Sequence, residues 1–341
     1  MGQHIAFLAA LPLILLGACN AATEAGAEDA PQEGSLAWIE QRIIERPTDP
    51  GSFAARARFF EALDSMRLAE ADWKRAIALD SLSAEWRIAL GSLYFTKLRV
   101  LDAEAQLKGA IAVEPGSIDA RSKLSEVYLM QGRYADAMAM ANEALRIDPL
   151  NGSTYNLKGW IHRLAGDTNL AISSYQTAIE RDPELYDSYV SLGVLHAARH
   201  NDLALSYYDN AIALRPGSIE ALYNKAMYAQ EHGRDSLALA LYARMKEIDS
   251  DYPAPYYNTG YILLEHQRRI AEARIEFSVA IAKLPTYVQA YYSRGVTYEL
   301  EGELDSAYAD YKLAIQLDPQ YTDAALGLNR LAEKGVRVKP R

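Results

Sequence analysis

The sequence predicts an all-α protein: a right-handed α-solenoid of about eight helix–turn–helix repeats, closed by a C-terminal capping helix. The segment from Leu90 to Pro115 returns 34 residues later, from Leu124 to Pro149. Within each copy, apolar residues recur at intervals of three and four, which is the period of amphipathic helices. Most copies end in a proline followed by small or polar residues, which stops one helix and begins the next. A single helix pair cannot bury its own apolar face, so we expect the copies to stack.

The chain opens with an apolar run, residues 5–16, which is shorter than the roughly 20 residues needed to span a membrane. Such a length is typical of the hydrophobic core of a secretory signal. The run ends in the residues LGAC at 16–19, and Cys19 is the only cysteine of the chain. This tetrad resembles the bacterial lipobox. The resemblance implies a lipoprotein signal peptide at 1–18, cleavage before Cys19 and acylation of Cys19.

Two alternatives compete with the lipobox interpretation, because the first four residues contain no Lys or Arg. Myristoylation at Gly2 requires Ser or Thr at position 6, where this chain has Ala6. A buried N-terminal helix with an incidental cysteine is the other alternative. Residues 19–34, rich in Ala, Gly and acids, are predicted to be a flexible tether with a reach on the order of 20 Å. Asn20 stands where an inner-membrane retention signal has Asp, which favours the outer membrane.

The repeats carry a recognisable pattern. Taking Ala84 as position 1, Gly91 stands at position 8, Tyr94 at 11, Ala103 at 20 and Pro115 at 32. This pattern resembles the tetratricopeptide repeat (TPR), in which each unit is a pair of antiparallel helices. The copies together occupy 50–321, and they are 50–83, 84–117, 118–151, 152–185, 186–218, 219–252, 253–287 and 288–321.

The same alignment of copies shows two changes in repeat length and the two ends of the array. The copy at 186–218 is one residue short, after His200, and the copy at 253–287 is one residue long, near Arg269. We expect loops to absorb both changes. Residues 35–49 are predicted to form an N-terminal capping helix, and residues 322–341 a C-terminal capping helix and tail.

Composition and motifs exclude several classes of function. A net charge of −10 leaves no basic face for nucleic acid, and one cysteine permits neither an intrachain disulfide nor a cysteine-based zinc site. The sequence has no phosphate-binding loop, HExxH motif or GxSxG elbow. We therefore expect no enzymatic activity, no metal and no cofactor.

The histidines are the remaining candidates for chemistry. His162 and His196 occupy position 11, where we expect core packing. His196 and His200 have the i, i+4 spacing of a metal pair, without an evident third ligand. Stacking also predicts His200, His232 and His266 along one edge. We expect solvated helix ends there, with a pH-sensitive or metal-binding edge as the alternative.

In the TPR family, positions 2, 5, 6, 9, 12 and 13 of each first helix face a concave groove. Exposed aromatic side chains at such positions are costly in water unless a partner covers them. The alternative is an array wound so tightly that it buries these side chains against itself. The resemblance implies a partner-binding groove formed by Asn156, Trp160, Arg163, Tyr223, Asn224, Met227, Tyr257, Asn258, Tyr261 and Tyr292.

These patterns together predict a non-enzymatic scaffold. It would be lipid-anchored on the periplasmic side of a bacterial envelope, and would capture a segment of a partner protein in the groove. A glycan-binding envelope lipoprotein is the alternative, and it needs amide or acidic groups converging on one aromatic platform. An intracellular TPR adaptor is a third possibility, and it requires an uncleaved N-terminus.

Overall fold

The computed structural model describes residues 32–335, and these residues form helices, turns and no strands. The predicted all-α repeat solenoid is confirmed. The predicted signal peptide (1–18), Cys19 and most of the predicted tether lie outside the described residues, as does the end of the predicted tail. Within 32–335, none of the helices has both the length and the apolar character that crossing a membrane requires.

The helices follow one another in antiparallel pairs, two to a repeat, and one of them ends in a π-helical turn. Their bounds are α1 (Leu36–Glu45), α2 (Pro50–Ala62), α3 (Met66–Leu79), α4 (Ala84–Thr96), α5 (Val100–Val113), α6 (Ile118–Met130), α7 (Tyr134–Ile147), α8 (Gly152–Leu164), α9 (Thr168–Arg181), α10 (Tyr186–Ala197), α11 (Leu203–Leu214), α12 (Ile219–Glu231), α13 (Asp235–Ile248), α14 (Ala254–Tyr261), the π turn (Ile262–His266), α15 (Ile270–Lys283), α16 (Val288–Glu301), α17 (Leu304–Leu317) and α18 (Thr322–Glu333).

Residues 32–335 divide into two compact units, the first ending at Trp86 and the second beginning at Arg87. In the described part of the first unit, α2 and α3 pack around Trp73, which is almost fully buried. Ser35 begins α1, because its hydroxyl accepts a hydrogen bond from the backbone N–H of Trp38 at 3.2 Å. Arg56 joins α2 to α3 by donating two hydrogen bonds to the carboxylate of Asp72, at 2.8 and 2.9 Å.

In the second unit, small residues set the distance between the two helices of a repeat. Ala171 and Ala178 on α9 are completely buried. Gly159 on α8 faces the ring of Tyr175 on α9 so closely that a Cβ at this glycine would lie 2.6 Å from the ring. Each helix pair is therefore held together by contacts that only small side chains permit.

A residue in the left-handed region of φ joins the two helices of each repeat. Glycine occupies this place in four repeats, at Gly132, Gly166, Gly233 and Gly302. Glycine adopts such a φ without steric cost, whereas other residues are strained there. His200 nevertheless occupies the place with φ 52°.

The two length changes are absorbed differently. The missing residue shortens the turn between α10 and α11, where Asn201 accepts a hydrogen bond from the N–H of Leu203 at 3.0 Å. The extra residue does not lie in a loop, so that expectation is wrong. It widens the end of α14 into the π turn at Ile262–His266, and α15 then begins normally at Ile270.

The last helix, α18, packs on the preceding repeat through Ala324 and Leu331, and one carboxylate binds its C-terminal end. Glu299 accepts hydrogen bonds from Arg330 at 3.0 Å, from Lys334 at 2.8 Å and from the hydroxyl of Tyr311 at 2.8 Å. Burial of the carboxylate raises its pKa, but these three donors outweigh burial and lower the pKa of Glu299 to about 2.

Candidate functional site

A cleft of about 410 Å³ opens among the first helices of three successive repeats, and we call it the Trp160 cleft. It brings together three residues of the predicted groove: Asn156, Trp160 and Arg163, all on α8. Trp160 is 37% exposed, which is a large apolar surface to leave in water. The side chains that line the cleft are Ser122, Glu126, Ser153, Asn156, Leu157, Trp160, Arg163, Tyr175, Asp187 and Ser191.

The close approach of α8 and α9 shapes one wall of the cleft. Because position 159 is glycine, the ring of Tyr175 lies directly against α8. Burial raises the pKa of the Tyr175 hydroxyl, and hydrogen bonding to Ser191 and Arg163 opposes this effect. Asn156 is also held in place, since its side-chain oxygen accepts a hydrogen bond from the Ser188 hydroxyl at 2.8 Å. The amide nitrogen of Asn156 remains a donor available to a ligand.

Both signs of charge occur in the Trp160 cleft. Glu126 and Asp187 are acidic, and Arg163 is basic. Burial raises the pKa of Glu126, while Lys123 on the same helix lowers it. A half-buried carboxylate gains from a hydrogen-bond donor or a cation supplied by a ligand. The cleft thus offers an apolar ring, an amide and opposite charges, which are means of binding rather than of catalysis.

The predicted tyrosines Tyr223, Tyr257 and Tyr292 form a second feature, which we call the tyrosine row. Each is half-buried, and each packs against a second tyrosine at the end of its own repeat. The pKa values of the Tyr257 and Tyr292 hydroxyls are raised, and burial is the largest cause. The ring-centroid distances are 6.5 Å for Tyr223–Tyr252, 5.0 Å for Tyr257–Tyr287 and 5.6 Å for Tyr292–Tyr321.

Tyr252, Tyr287 and Tyr321 are not among the residues predicted for the groove. Their signal is visible in the sequence, because each is the last residue of its copy and they recur at nearly the repeat length. The repeats therefore cover part of the surface of their own groove tyrosines, as the alternative of a tightly wound array predicts. Of the predicted groove tyrosines, Tyr261 is the exposed one, at 38%.

Asn258 differs from the prediction. It is only 6% exposed, and its amide nitrogen contacts the Met227 sulfur of the preceding repeat at 3.5 Å. The hydroxyl of Tyr242 approaches the same sulfur at 3.3 Å. Asn258 therefore packs between repeats and does not face an open groove. Asn224, at the equivalent position, is half-buried.

The histidines separate into core and edge residues. His196 is 7% exposed and stacks on Tyr207 at 5.2 Å, which confirms its predicted core position. His196 and His200 do not form a pair, because His200 instead faces His232. His266 is bound to Asp235, with 2.8 Å between Nδ1 and Oδ1. Within residues 32–335, no group of three or more His, Cys, Asp or Glu side chains is arranged to hold a metal ion.

The protein is an α-helical repeat protein. The first helix of several repeats carries exposed side chains, which form a surface suited to binding. Tetratricopeptide repeat models match residues 99–161, 152–185, 197–253 and 288–321. The chain belongs to the tetratricopeptide repeat family. A sequence comparison with curated proteins finds no match.

Solved structures share the fold. The C-terminal part of a TPR repeat-containing protein from Cytophaga hutchinsonii is 18% identical; the alignment covers 71% of this chain and 99% of that one, with a TM-score of 0.60. PilW, a type IV pilus biogenesis factor, is 18% identical over 62% of this chain and 98% of its own, with a TM-score of 0.50. At these identities the likeness concerns the fold alone.

Proposed function

We propose that this protein is a non-enzymatic scaffold that binds a segment of a partner protein along the first helices of its repeats. The Trp160 cleft is the observation that carries the proposal. A tryptophan more than one-third exposed, beside an amide donor and charged groups, has the composition of an interaction hot spot. Repeat arrays of this family present continuous surfaces for such segments.

The partner segment would use two kinds of contact. In the Trp160 cleft, Asn156 and Arg163 can bond backbone carbonyls, and Glu126 and Asp187 can receive basic side chains. Along the tyrosine row, the partly covered rings offer flat apolar surface with little conformational freedom left to lose. Asn258 takes no part, because it is buried.

We further propose that the scaffold is anchored to a bacterial envelope, facing the periplasm, with the outer membrane as the favoured membrane. The residues LGAC at 16–19 support acylation of Cys19. Several acyl chains give stable attachment, where a single chain gives marginal binding. The anchor would act by raising the local concentration of the scaffold near membrane-bound partners.

The binding proposal is tested with full-length protein, extracted in detergent and used to capture partners from envelope extract. The test variant is Trp160→Ala with Tyr261→Ala, which removes exposed rings and leaves the tyrosine row intact. The matched control is Tyr134→Ala, since Tyr134 is equally exposed, at 37%, but begins a second helix. We expect the parent and the control to retain the same envelope protein and the double variant to lose it. Equal retention by all three proteins would overturn the proposed surface.

A glycan is the second candidate ligand, and one observation favours it. The amide of Asn156 and the carboxylates of Glu126 and Asp187 line the same cleft as the exposed ring of Trp160, and sugar binding uses these kinds of group. The same capture is repeated after complete proteolysis of the extract. If the parent still retains hexosamine after proteolysis and the double variant does not, the ligand is a glycan. If the parent then retains nothing, the ligand is a protein.

The anchor is tested separately with Cys19→Ser. We expect the parent to incorporate labelled palmitate and to sediment with membranes, and the variant to do neither. Mass spectrometry of the mature parent should find an acylated Cys19 at its N-terminus. An intact, unlipidated Met1 would contradict the anchor and favour an intracellular adaptor.

A further inference from the structure

Two histidines from adjacent repeats meet at the edge of the second unit. His200 lies just beyond the end of α10, and His232 caps the end of α12. Nδ1 of His200 and Nε2 of His232 are 3.4 Å apart. The ring centroids are 5.5 Å apart and the planes are inclined by 52°, so the rings meet through their edges rather than their faces.

The orientation of His232 is fixed from two sides. Its Nδ1 lies 2.8 Å from the backbone oxygen of Tyr228. A carbonyl oxygen only accepts, so Nδ1 carries the proton, and in the neutral ring the lone pair of Nε2 faces His200. The ring also stacks on Tyr228, with centroids 4.0 Å apart. Metal-binding histidines are typically held in this way, with the second nitrogen donating to a carbonyl or carboxylate.

The separation of the two nitrogens suits a shared metal ion. Zinc–nitrogen bonds of about 2.05 Å at a tetrahedral angle place two nitrogens about 3.3 Å apart. The observed distance is 3.4 Å. His200 is exposed and His232 half-buried, so an ion can reach both rings from solvent.

We propose that His200 and His232 form a two-histidine site for a divalent transition-metal ion that prefers nitrogen ligands, such as Zn²⁺ or Ni²⁺. The ion bridges consecutive repeats, and water fills its remaining positions. This inference is independent of the proposed scaffold function. The site is open and exchangeable, unlike a structural zinc site with four protein ligands.

Neighbouring polar groups are already engaged and do not complete the site. Asp202 accepts hydrogen bonds from Tyr228 at 3.0 Å and from Arg234 at 2.5 Å. His266, the corresponding edge residue of the next repeat, is bound to Asp235. His266 is therefore a matched control, because it lies on the same edge but belongs to a different contact.

The test is calorimetric titration of the full-length chain, purified without a polyhistidine tag, with ZnCl₂ and with NiCl₂. The variants are His200→Gly, His232→Ala and the control His266→Ala. The first two substitutions introduce the residues that the repeat at 152–185 has at the equivalent places, Gly166 and Ala165. Glycine also suits the positive φ at position 200, so the loss of metal binding is separable from misfolding.

We expect one equivalent of metal to bind the parent and the His266→Ala control with the same affinity. His200→Gly and His232→Ala should each lose affinity by at least about 10-fold, since even partners of metal ligands have effects of that size. Saturating metal should raise the Tm of the parent and not that of His200→Gly. If the parent binds neither ion, the two rings share only a hydrogen bond, and the proposal is wrong. Equal binding by all variants would place the ion elsewhere and overturn it as well.

Discussion

Single glycines control how closely the two helices of a repeat approach. A Cβ added at Gly159 would lie 2.6 Å from the ring of Tyr175, and one added at Gly193 would lie 2.4 Å from the ring of Tyr208. Neither distance is compatible with unshifted rings. A Cβ added at Gly116, in contrast, would have no atom of another residue beyond its chain neighbours within 4 Å, so Gly116 provides a comparison within the same unit.

Gly159→Ala should destabilise the protein by about 1–3 kcal/mol, the usual cost of adding a methyl group to a closely packed core. Urea unfolding monitored by circular dichroism measures this difference. Gly116→Ala should stay within about 0.5 kcal/mol of the parent. If the two variants were equally stable, the contact between Gly159 and Tyr175 would not limit the packing of α8 and α9.

Glu126 supplies a prediction about pH at the Trp160 cleft. Burial raises the pKa of this carboxyl, so the folded state binds its proton more tightly than the unfolded state does. The contribution of Glu126 therefore favours folding in acid and is lost as the pH rises through the raised pKa. Glu126→Gln should raise the Tm at pH 7, and the gain should vanish below about pH 4, where the parent is protonated in both states. A gain that is the same at both pH values would exclude this explanation.

At the scale of elements, one carboxylate joins the C-terminal end of α18 to the preceding repeat, in addition to the apolar packing of Ala324 and Leu331. Glu299 holds Arg330 and Lys334 of that helix end and also bonds Tyr311 on α17. The pKa of Glu299 is lowered from 4.5 to about 2, so the charged form stabilises the fold. This stabilisation is complete above the unfolded pKa and is lost as the pH falls from about 4.5 towards 2.

Glu299→Gln should lower the free energy of unfolding by about 2 kcal/mol at pH 7, because hydrogen bonds to a charged group are lost. The difference from the parent should shrink between pH 4.5 and 2. Chemical unfolding at several pH values measures both effects. Glu333→Gln, at the exposed end of α18, serves as the control and should change little. A constant difference across the pH range would contradict the proposed role of the charge.

Across the second unit as a whole, helices contact chiefly their neighbours in the chain. In such an array, stability is close to a sum of local terms and disturbances stay near their origin. Glu299→Gln should therefore speed hydrogen exchange in α16, α17 and α18 and leave α6 to α10 unchanged. Mass spectrometry of exchanged peptides measures this directly. A uniform loss of protection would show that the unit unfolds as one cooperative body.

The sequence predicted the helices well because each copy repeats the same apolar spacing and the same stop signals. It also located Asn156, Trp160 and Arg163, which the structure gathers in one cleft. It failed at Asn258 because the burial of that side chain depends on the rotation between successive repeats, which periodicity does not specify. The partners of the tyrosine row were missed for a related reason: Tyr252, Tyr287 and Tyr321 lie outside the helices to which the groove positions were assigned.

The π turn has a consequence for how this chain can change in length over evolution. One residue added to a regular α-helix rotates everything after it by about 100°, which would carry a packed face out of register. Here the addition widens a single turn, and α15 still buries Phe277 and Ala280. The end of α14 is thus a place where we expect a change in length of one residue to leave the packing of α15 intact. Related sequences with one residue fewer there should therefore keep the surfaces on either side, with a regular helical turn in place of the π turn.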